Sequence, residues 1–113
     1  MIEVTEAEMN KLLSEKKKSV IIFYCYTPLC GTCNLARQML EEWHQSNSTA
    51  TIYSVNLNLN RTLPLKWQIK SVPYVAIVLN GEKVHQFYAI HSIENIDRQL
   101  TPFIRNGENG DKG

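Results

Sequence analysis

The chain has 113 residues, of which 43% are hydrophobic and 20% charged, so it suits one domain with one buried core and excludes a multi-domain arrangement. With 12 basic and 11 acidic side chains, its formal net charge is +1, which excludes a dominant field for gathering nucleic acid or anionic lipid. The longest apolar run, residues 20–25, is far shorter than the ~20 residues of a membrane-spanning helix. We therefore expect neither a nucleic-acid nor a membrane partner.

The first half of the chain predicts alternating strands and helices. A short N-terminal strand precedes a helix that begins at Thr5, because Thr5 and Glu8 have the spacing of a capping box. Residues 20–26 form a continuous run of β-branched and aromatic side chains, which is typical of a strand buried on both faces. Apolar residues recur at helical spacing over residues 32–44, and residues 51–57 predict the next strand.

The second half predicts a β-hairpin between two helices. Residues 64–69 open with a proline and predict a short helix or a turn. Residues 72–79 are strongly apolar and β-branched, and residues 83–88 supply the returning strand. Asn80-Gly81, between them, favours a two-residue hairpin with antiparallel strands. Ser92 is a suitable N-cap for a last helix. This order predicts an α/β fold whose central mixed β-sheet is flanked by helices on both faces.

The two ends of the chain set the expected domain boundary and location. Residues 106–113 contain no apolar side chain and three glycines, so we expect a domain over residues 1–105 followed by a disordered C-terminal tail. The first residues lack the basic segment and the long apolar segment of a secretory signal. Three cysteines are also too few for a disulfide-stapled scaffold, so we expect a cytoplasmic location.

The chemistry-bearing motif is Cys30-Gly31-Thr32-Cys33, which lies where a buried strand ends and a helix begins. A thiolate at a helix N-terminus faces unpaired backbone N–H groups and the positive end of the helix dipole, and both lower the pKa of a thiol. We therefore predict that Cys30 is the nucleophile. Cys33 lies one turn along, close enough for a disulfide and more enclosed, so we predict that it is the resolving thiol.

Two other interpretations of this cysteine pair are half of a zinc site and two ordinary core cysteines. A zinc site needs two further ligands at metal-binding spacing, whereas the sequence has no second cysteine pair and its three histidines are scattered. We therefore expect no metal and no cofactor. Cys25, in the middle of the apolar strand, is interpreted as a small core side chain, because apolar surroundings raise the pKa of a thiol.

With this motif, the sequence resembles the thioredoxin family from about Val4 to Ile104. The segment Ser71-Val72-Pro73-Tyr74-Val75 matches the family's cis-proline, which faces the dithiol. The resemblance implies a thioredoxin fold, and it implies that the main chain of Val72 pairs with an extended substrate segment. The substrate-binding residues that it implies are Leu29, Gly31, Thr32, Val72 and Pro73.

Several positions depart from the family's pattern. Leu29 and Thr32 replace a tryptophan and a proline at the site, and the Thr32 N–H and hydroxyl are expected to stabilise a thiolate and make the disulfide more oxidising. Tyr24 and Ser54 occupy the positions of the family's buried aspartate and its lysine partner, so the family's proton acceptor for the resolving cysteine is absent. Ala89 stands where the family has a groove glycine.

The resulting hypothesis is a thioredoxin-like thiol-disulfide oxidoreductase that reduces or exchanges protein disulfides at Cys30 and Cys33. Its expected partners are disulfide-containing proteins and an electron donor, such as a reductase or a low-molecular-weight thiol. One alternative is an enzyme that removes low-molecular-weight thiol caps from protein cysteines. Another alternative is a redox-responsive binding module that docks a partner without turnover.

Overall fold

The structure is a computed structural model that describes the backbone of residues 1–112 and the side chains of residues 1–104. Over this range the strands are β1 (Ile2–Glu3), β2 (Ile21–Tyr26), β3 (Thr51–Asn56), β4 (Tyr74–Leu79) and β5 (Glu82–Phe87). The helices are α1 (Glu6–Ser14), α2 (Gly31–Gln45), α3 (Leu63–Trp67) and α4 (Ile93–Lys112). The predicted order of elements is confirmed. The tail predicted over residues 106–113 lies outside the described side chains, and its disorder stays a prediction.

The strands form one mixed sheet in the order β1-β3-β2-β4-β5. Strand β3 is parallel to both β1 and β2, whereas β4 is antiparallel to β2 and to β5. Because β4 runs against β2, the start of β4 lies beside the end of β2, and Tyr74 is the partner of Cys25. This register brings residues 72–73 to the end of the sheet where β2 leads into the loop that carries Cys30.

Helices cover both faces of the sheet, as predicted. Alternate side chains of β2 point to opposite sides, so Ile22 and Tyr24 join one core cluster while Phe23 and Cys25 join the other. The first cluster contains the apolar side chains of α2 and α4, and the second contains those of α1 and α3. Burial on both faces explains why β2 reads as an unbroken apolar run.

The turn signals of the sequence are confirmed by backbone and side-chain geometry. Asn80 and Gly81 have φ angles of 54° and 80°, the left-handed values that a two-residue hairpin turn of this kind needs. A Cβ atom at Gly81 would lie 2.4 Å from the carbonyl oxygen of Leu13, so the tight packing of the hairpin against the end of α1 also requires glycine. At the start of α4, Ser92 Oγ accepts a hydrogen bond of 3.0 Å from Asn95 N–H.

The predicted and observed strand boundaries differ by one residue at β2, β3 and β5, and by two residues at the start of β4. The strand expected to begin at Val72 begins at Tyr74, and the peptide bond between Val72 and Pro73 is cis. Proline has no N–H to donate to a strand ladder, so the regular pairing with β2 starts only after Pro73. Val72 and Pro73, which the sequence predicted to be inside the strand, therefore lie in the loop that precedes β4.

Candidate active site

The disulfide between Cys30 and Cys33 lies at the N-terminus of α2, with the two Cα atoms 5.1 Å apart. Cys30 is the N-cap residue, and its Sγ accepts a hydrogen bond of 3.1 Å from the backbone N–H of Cys33. The Cys30 side chain is partly exposed, whereas Cys33 is fully buried. After reduction, this N–H and the helix dipole favour a thiolate on Cys30, the more accessible of the two sulfurs.

Thr32 adds a side-chain contact to the same sulfur. Its Oγ1 lies 3.3 Å from Cys30 Sγ, and the hydroxyl is the donor because a disulfide sulfur carries no hydrogen. Thr32 and Gly31 are exposed, and Leu29 is 98% exposed directly before the disulfide. The loop thus presents an apolar side chain and one sulfur to an approaching molecule.

A groove of about 290 Å³ lies beside Thr32 and is bounded by residues 71–73 and 88–91. The antiparallel start of β4 brings the Val72-Pro73 segment there, and the chain that leaves β5 supplies the opposite wall. Three of the substrate-binding residues predicted from the sequence, Thr32, Val72 and Pro73, therefore meet at one surface. Ala89, at the position of the family's groove glycine, also lines it.

Behind Cys33, the site is closed by an uncharged side chain. Tyr24 is fully buried, and its hydroxyl donates a hydrogen bond to the backbone carbonyl of Cys33. Its neighbour in the sheet is Ser54, whose hydroxyl donates to the Glu3 carboxylate at 2.7 Å. Burial raises the pKa of Tyr24 to about 12, so this phenol remains protonated and is not an anionic proton acceptor at neutral pH.

Sequence reasoning missed a cation that lies against this wall. The guanidinium carbon of Arg37 is 5.4 Å from the Tyr24 ring centre and 4.8 Å from that of Tyr26. The two rings are stacked, with centres 5.7 Å apart, and the Tyr26 hydroxyl donates to Glu3 at 2.9 Å. The available signal was the spacing of Arg37, four residues after Cys33, which places both on one side of a helix.

The third cysteine lies apart from the site. Cys25 is fully buried in β2, and burial raises the pKa of its thiol to about 12, as expected for a core side chain. Among the described residues, no three His, Cys, Asp or Glu side chains are grouped closely enough to hold a metal ion. None of the described helices is both long and apolar enough to cross a bilayer.

Comparison with known proteins agrees with the fold. The family model described as Thioredoxin matches residues 1–102. The thioredoxin-like protein YusE of Bacillus subtilis is 34% identical over 93 residues, 82% of this chain and 84% of YusE. A thioredoxin of Mycoplasmoides gallisepticum is 30% identical over 77 residues, 68% of this chain and 75% of that protein. The X-ray structure of Fasciola hepatica thioredoxin has the same fold, with a TM-score of 0.82 at 19% identity over 91% of this chain and 99% of that one. The chain belongs to the thioredoxin family.

Proposed function

We propose that the protein is a thiol-disulfide oxidoreductase that reduces or exchanges disulfides in protein substrates. The observation that carries this proposal is the cysteine pair at the N-terminus of α2, with one sulfur accessible, the other enclosed and the Val72-Pro73 segment across the groove. Two cysteines in such unequal surroundings suit an ordered exchange, because one sulfur meets the substrate first.

In the reducing direction, the Cys30 thiolate attacks one sulfur of a substrate disulfide and forms a mixed disulfide, and the other substrate sulfur leaves as a thiolate. The Cys33 thiol then loses its proton to water and attacks Cys30 Sγ. The bond to the remaining substrate sulfur breaks, and that sulfur takes a proton from water. Two electrons have passed from the dithiol to the substrate, which leaves the Cys30–Cys33 disulfide.

Substrate docking is assigned to the surface around the accessible sulfur. The exposed Leu29 supplies an apolar contact, Gly31 lets a chain approach the helix end, and the main chain of Val72 is available to pair with an extended segment. Thr32 and Pro73 complete the groove. A reductase or a low-molecular-weight thiol would restore the dithiol, and the reducing cytoplasm suits that cycle.

Removal of low-molecular-weight thiol caps is the second candidate function, favoured by the groove beside the disulfide. Its volume of about 290 Å³ is close to the lower limit for small-molecule sites, and it is lined by Thr32, whose hydroxyl contacts Cys30 Sγ. A capped protein cysteine would place its small thiol there. Turnover on a glutathione-capped protein, compared with turnover on a protein disulfide, distinguishes the two substrates.

The test of the proposed function is a pair of cysteine variants. With a disulfide-containing protein, reduced Cys33→Ser should accumulate a mixed disulfide on Cys30, because the resolving sulfur is missing, whereas Cys30→Ser should accumulate none. Cys25→Ala serves as the matched control and should turn over like the wild type. Equal trapping by the two site variants would contradict the assigned order. Trapping or binding without turnover by the wild type would instead indicate a binding module.

A further inference from the structure

We propose that Arg37 is a positioning residue for the second step of the exchange, in which its guanidinium favours the thiolate of Cys33. This inference rests on the proposed function and concerns one step within it. Arg37 follows Cys33 by one turn of α2, and helical side chains lean toward the N-terminus of their helix. The Arg37 side chain therefore extends along the face that carries Cys33.

The ring contacts of Arg37 fix the guanidinium on the wall behind Cys33. The guanidinium carbon lies 4.8 Å from the Tyr26 ring centre and 5.4 Å from the Tyr24 ring centre. Tyr24 in turn donates its hydroxyl hydrogen to the carbonyl of Cys33. Arg37 therefore contacts the Tyr24 ring, and Tyr24 in turn contacts Cys33. The faces of the Tyr24 and Tyr26 rings hold the guanidinium in place.

The resolving thiol needs such a charge because its surroundings disfavour ionisation. Cys33 is fully buried, and burial raises the pKa of a thiol. Several titratable and charged groups lie around Cys33 and Arg37. They are Arg37 on α2, Glu3 on β1, Tyr24 and Tyr26 on β2, Cys30 at the N-cap of α2, and Tyr88 and His91 in the groove after β5.

Of these groups, Arg37 is the one that is positive at every accessible pH. The Glu3 carboxylate opposes it at the Tyr26 hydroxyl, which donates to Glu3 at 2.9 Å, whereas the Tyr24 hydroxyl donates to Cys33 itself. The same carboxylate accepts a second hydroxyl, from Ser54, at 2.7 Å. Where the family resemblance implies a carboxylate that accepts the proton of the resolving thiol, this chain places a cation that stabilises the thiolate after water has taken the proton.

The experiment follows both steps with a symmetric aromatic disulfide that releases a coloured thiol. Reaction of reduced protein with this reagent gives one coloured thiol as Cys30 is capped and a second as Cys33 displaces the cap, so the second phase measures resolution. The variants are Arg37→Met, which keeps an apolar stem, Arg37→Lys, which keeps the charge, and Arg98→Met, an exposed residue of α4 with the same change of net charge.

We expect Arg37→Met to leave the first phase unchanged and to slow the second phase about threefold at neutral pH. Above about pH 10, the second phase should be as fast as in the wild type or faster, because a thiol of higher pKa is less ionised near neutrality but more nucleophilic once ionised. Arg37→Lys should recover much of the wild-type pH profile, and Arg98→Met should match the wild type.

An unchanged pH profile in Arg37→Met would overturn the proposal. A slowdown by one factor at every pH would also overturn it, since that result indicates packing rather than charge. Arg37→Gln repeats the test with a second neutral side chain, should Arg37→Met unfold. Failure of the proposed function would be seen in the wild-type protein instead of the variants, because the wild type would then show no second phase.

Discussion

Cys25 and Cys30 lie only five residues apart along the chain, yet the structure gives them opposite chemistry. Cys25 is enclosed in the middle of β2, where burial raises the pKa of its thiol to about 12. Cys30 lies just beyond the end of the same strand, where a helix begins and a backbone N–H points at its sulfur at 3.1 Å. The two positions differ in burial and in the backbone donor that faces the sulfur, and these surroundings, rather than the residue type, set how readily a thiol ionises.

Competitive alkylation tests directly whether Cys30 and Cys25 differ in reactivity. In reduced protein at neutral pH, we expect Cys30 to be alkylated at least ~1,000 times faster than Cys25, because a thiol of such a high pKa is almost entirely protonated and unreactive. Peptide mapping by mass spectrometry measures the two rates, and labelling in denaturant should make them similar. Faster labelling of Cys25 or Cys33 in the folded protein would contradict the assignment of Cys30.

Tyr24, whose hydroxyl donates to the Cys33 carbonyl, allows a test at the resolving cysteine. We expect Tyr24→Asp to lower the free energy of unfolding by roughly 3–5 kcal/mol, because it removes a buried ring and places a carboxyl group in the core. Addition of Ser54→Lys, on the neighbouring strand position, should recover part of that loss and restore an ion pair. Denaturant unfolding measures both values.

The matched control is Tyr24→Phe, which removes only the hydroxyl donated to the Cys33 carbonyl and should cost about 1–2 kcal/mol. Resolution rates across pH complete this test. If the single and double aspartate variants stay folded and neither alters the pH profile of resolution, Tyr24 is a packing residue alone.

The free energy of unfolding of the oxidised protein at alkaline pH tests whether burial raises the pKa of Cys25. Between about pH 9 and pH 12, the unfolded Cys25 thiol ionises while the folded thiol keeps its proton, so the folded state binds more protons and stability falls as pH rises. This group contributes a loss of up to about 1.4 kcal/mol per pH unit. Tyr24 and Tyr74, whose pKa values burial also raises, add to the loss above about pH 10.

Urea unfolding at several alkaline pH values measures this slope. With the Cys30–Cys33 disulfide intact, Cys25→Ala should show a shallower decline than the wild type, whatever its stability at neutral pH. Parallel curves for the two proteins would mean that the folded Cys25 thiol ionises as readily as the unfolded one.

The smallest expected effect concerns Thr32, whose hydroxyl lies 3.3 Å from Cys30 Sγ. Thr32→Val keeps the shape and removes the donor, so the thiolate loses about 1 kcal/mol of stabilisation and the couple should become about 20 mV more reducing. Equilibration in glutathione buffers of known ratio measures the potential. Thr32→Ser, which keeps the hydroxyl, should stay near the wild-type value, and a more oxidising Thr32→Val would contradict the role of the hydroxyl.

Local patterns in the sequence were sufficient for the order of elements and for the centre of the site. Strand β2 was visible as a continuous apolar run, the capping box at Thr5 marked the start of α1, and Asn80-Gly81 marked the hairpin. These signals work because backbone geometry and capping depend on residues a few positions apart. For the same reason, the placement of Cys30 at a helix N-terminus followed from the sequence alone.

Only the tertiary structure decided what surrounds the two sulfurs. The pairing of β2 with β4 brings Pro73 to the groove beside Thr32, and the order of the strands brings Glu3 to the hydroxyl of Ser54. Packing of α2 on the sheet places Arg37 over the ring of Tyr24. These contacts join residues far apart in the sequence, and they depend on strand order, register and helix docking, which local periodicity does not encode.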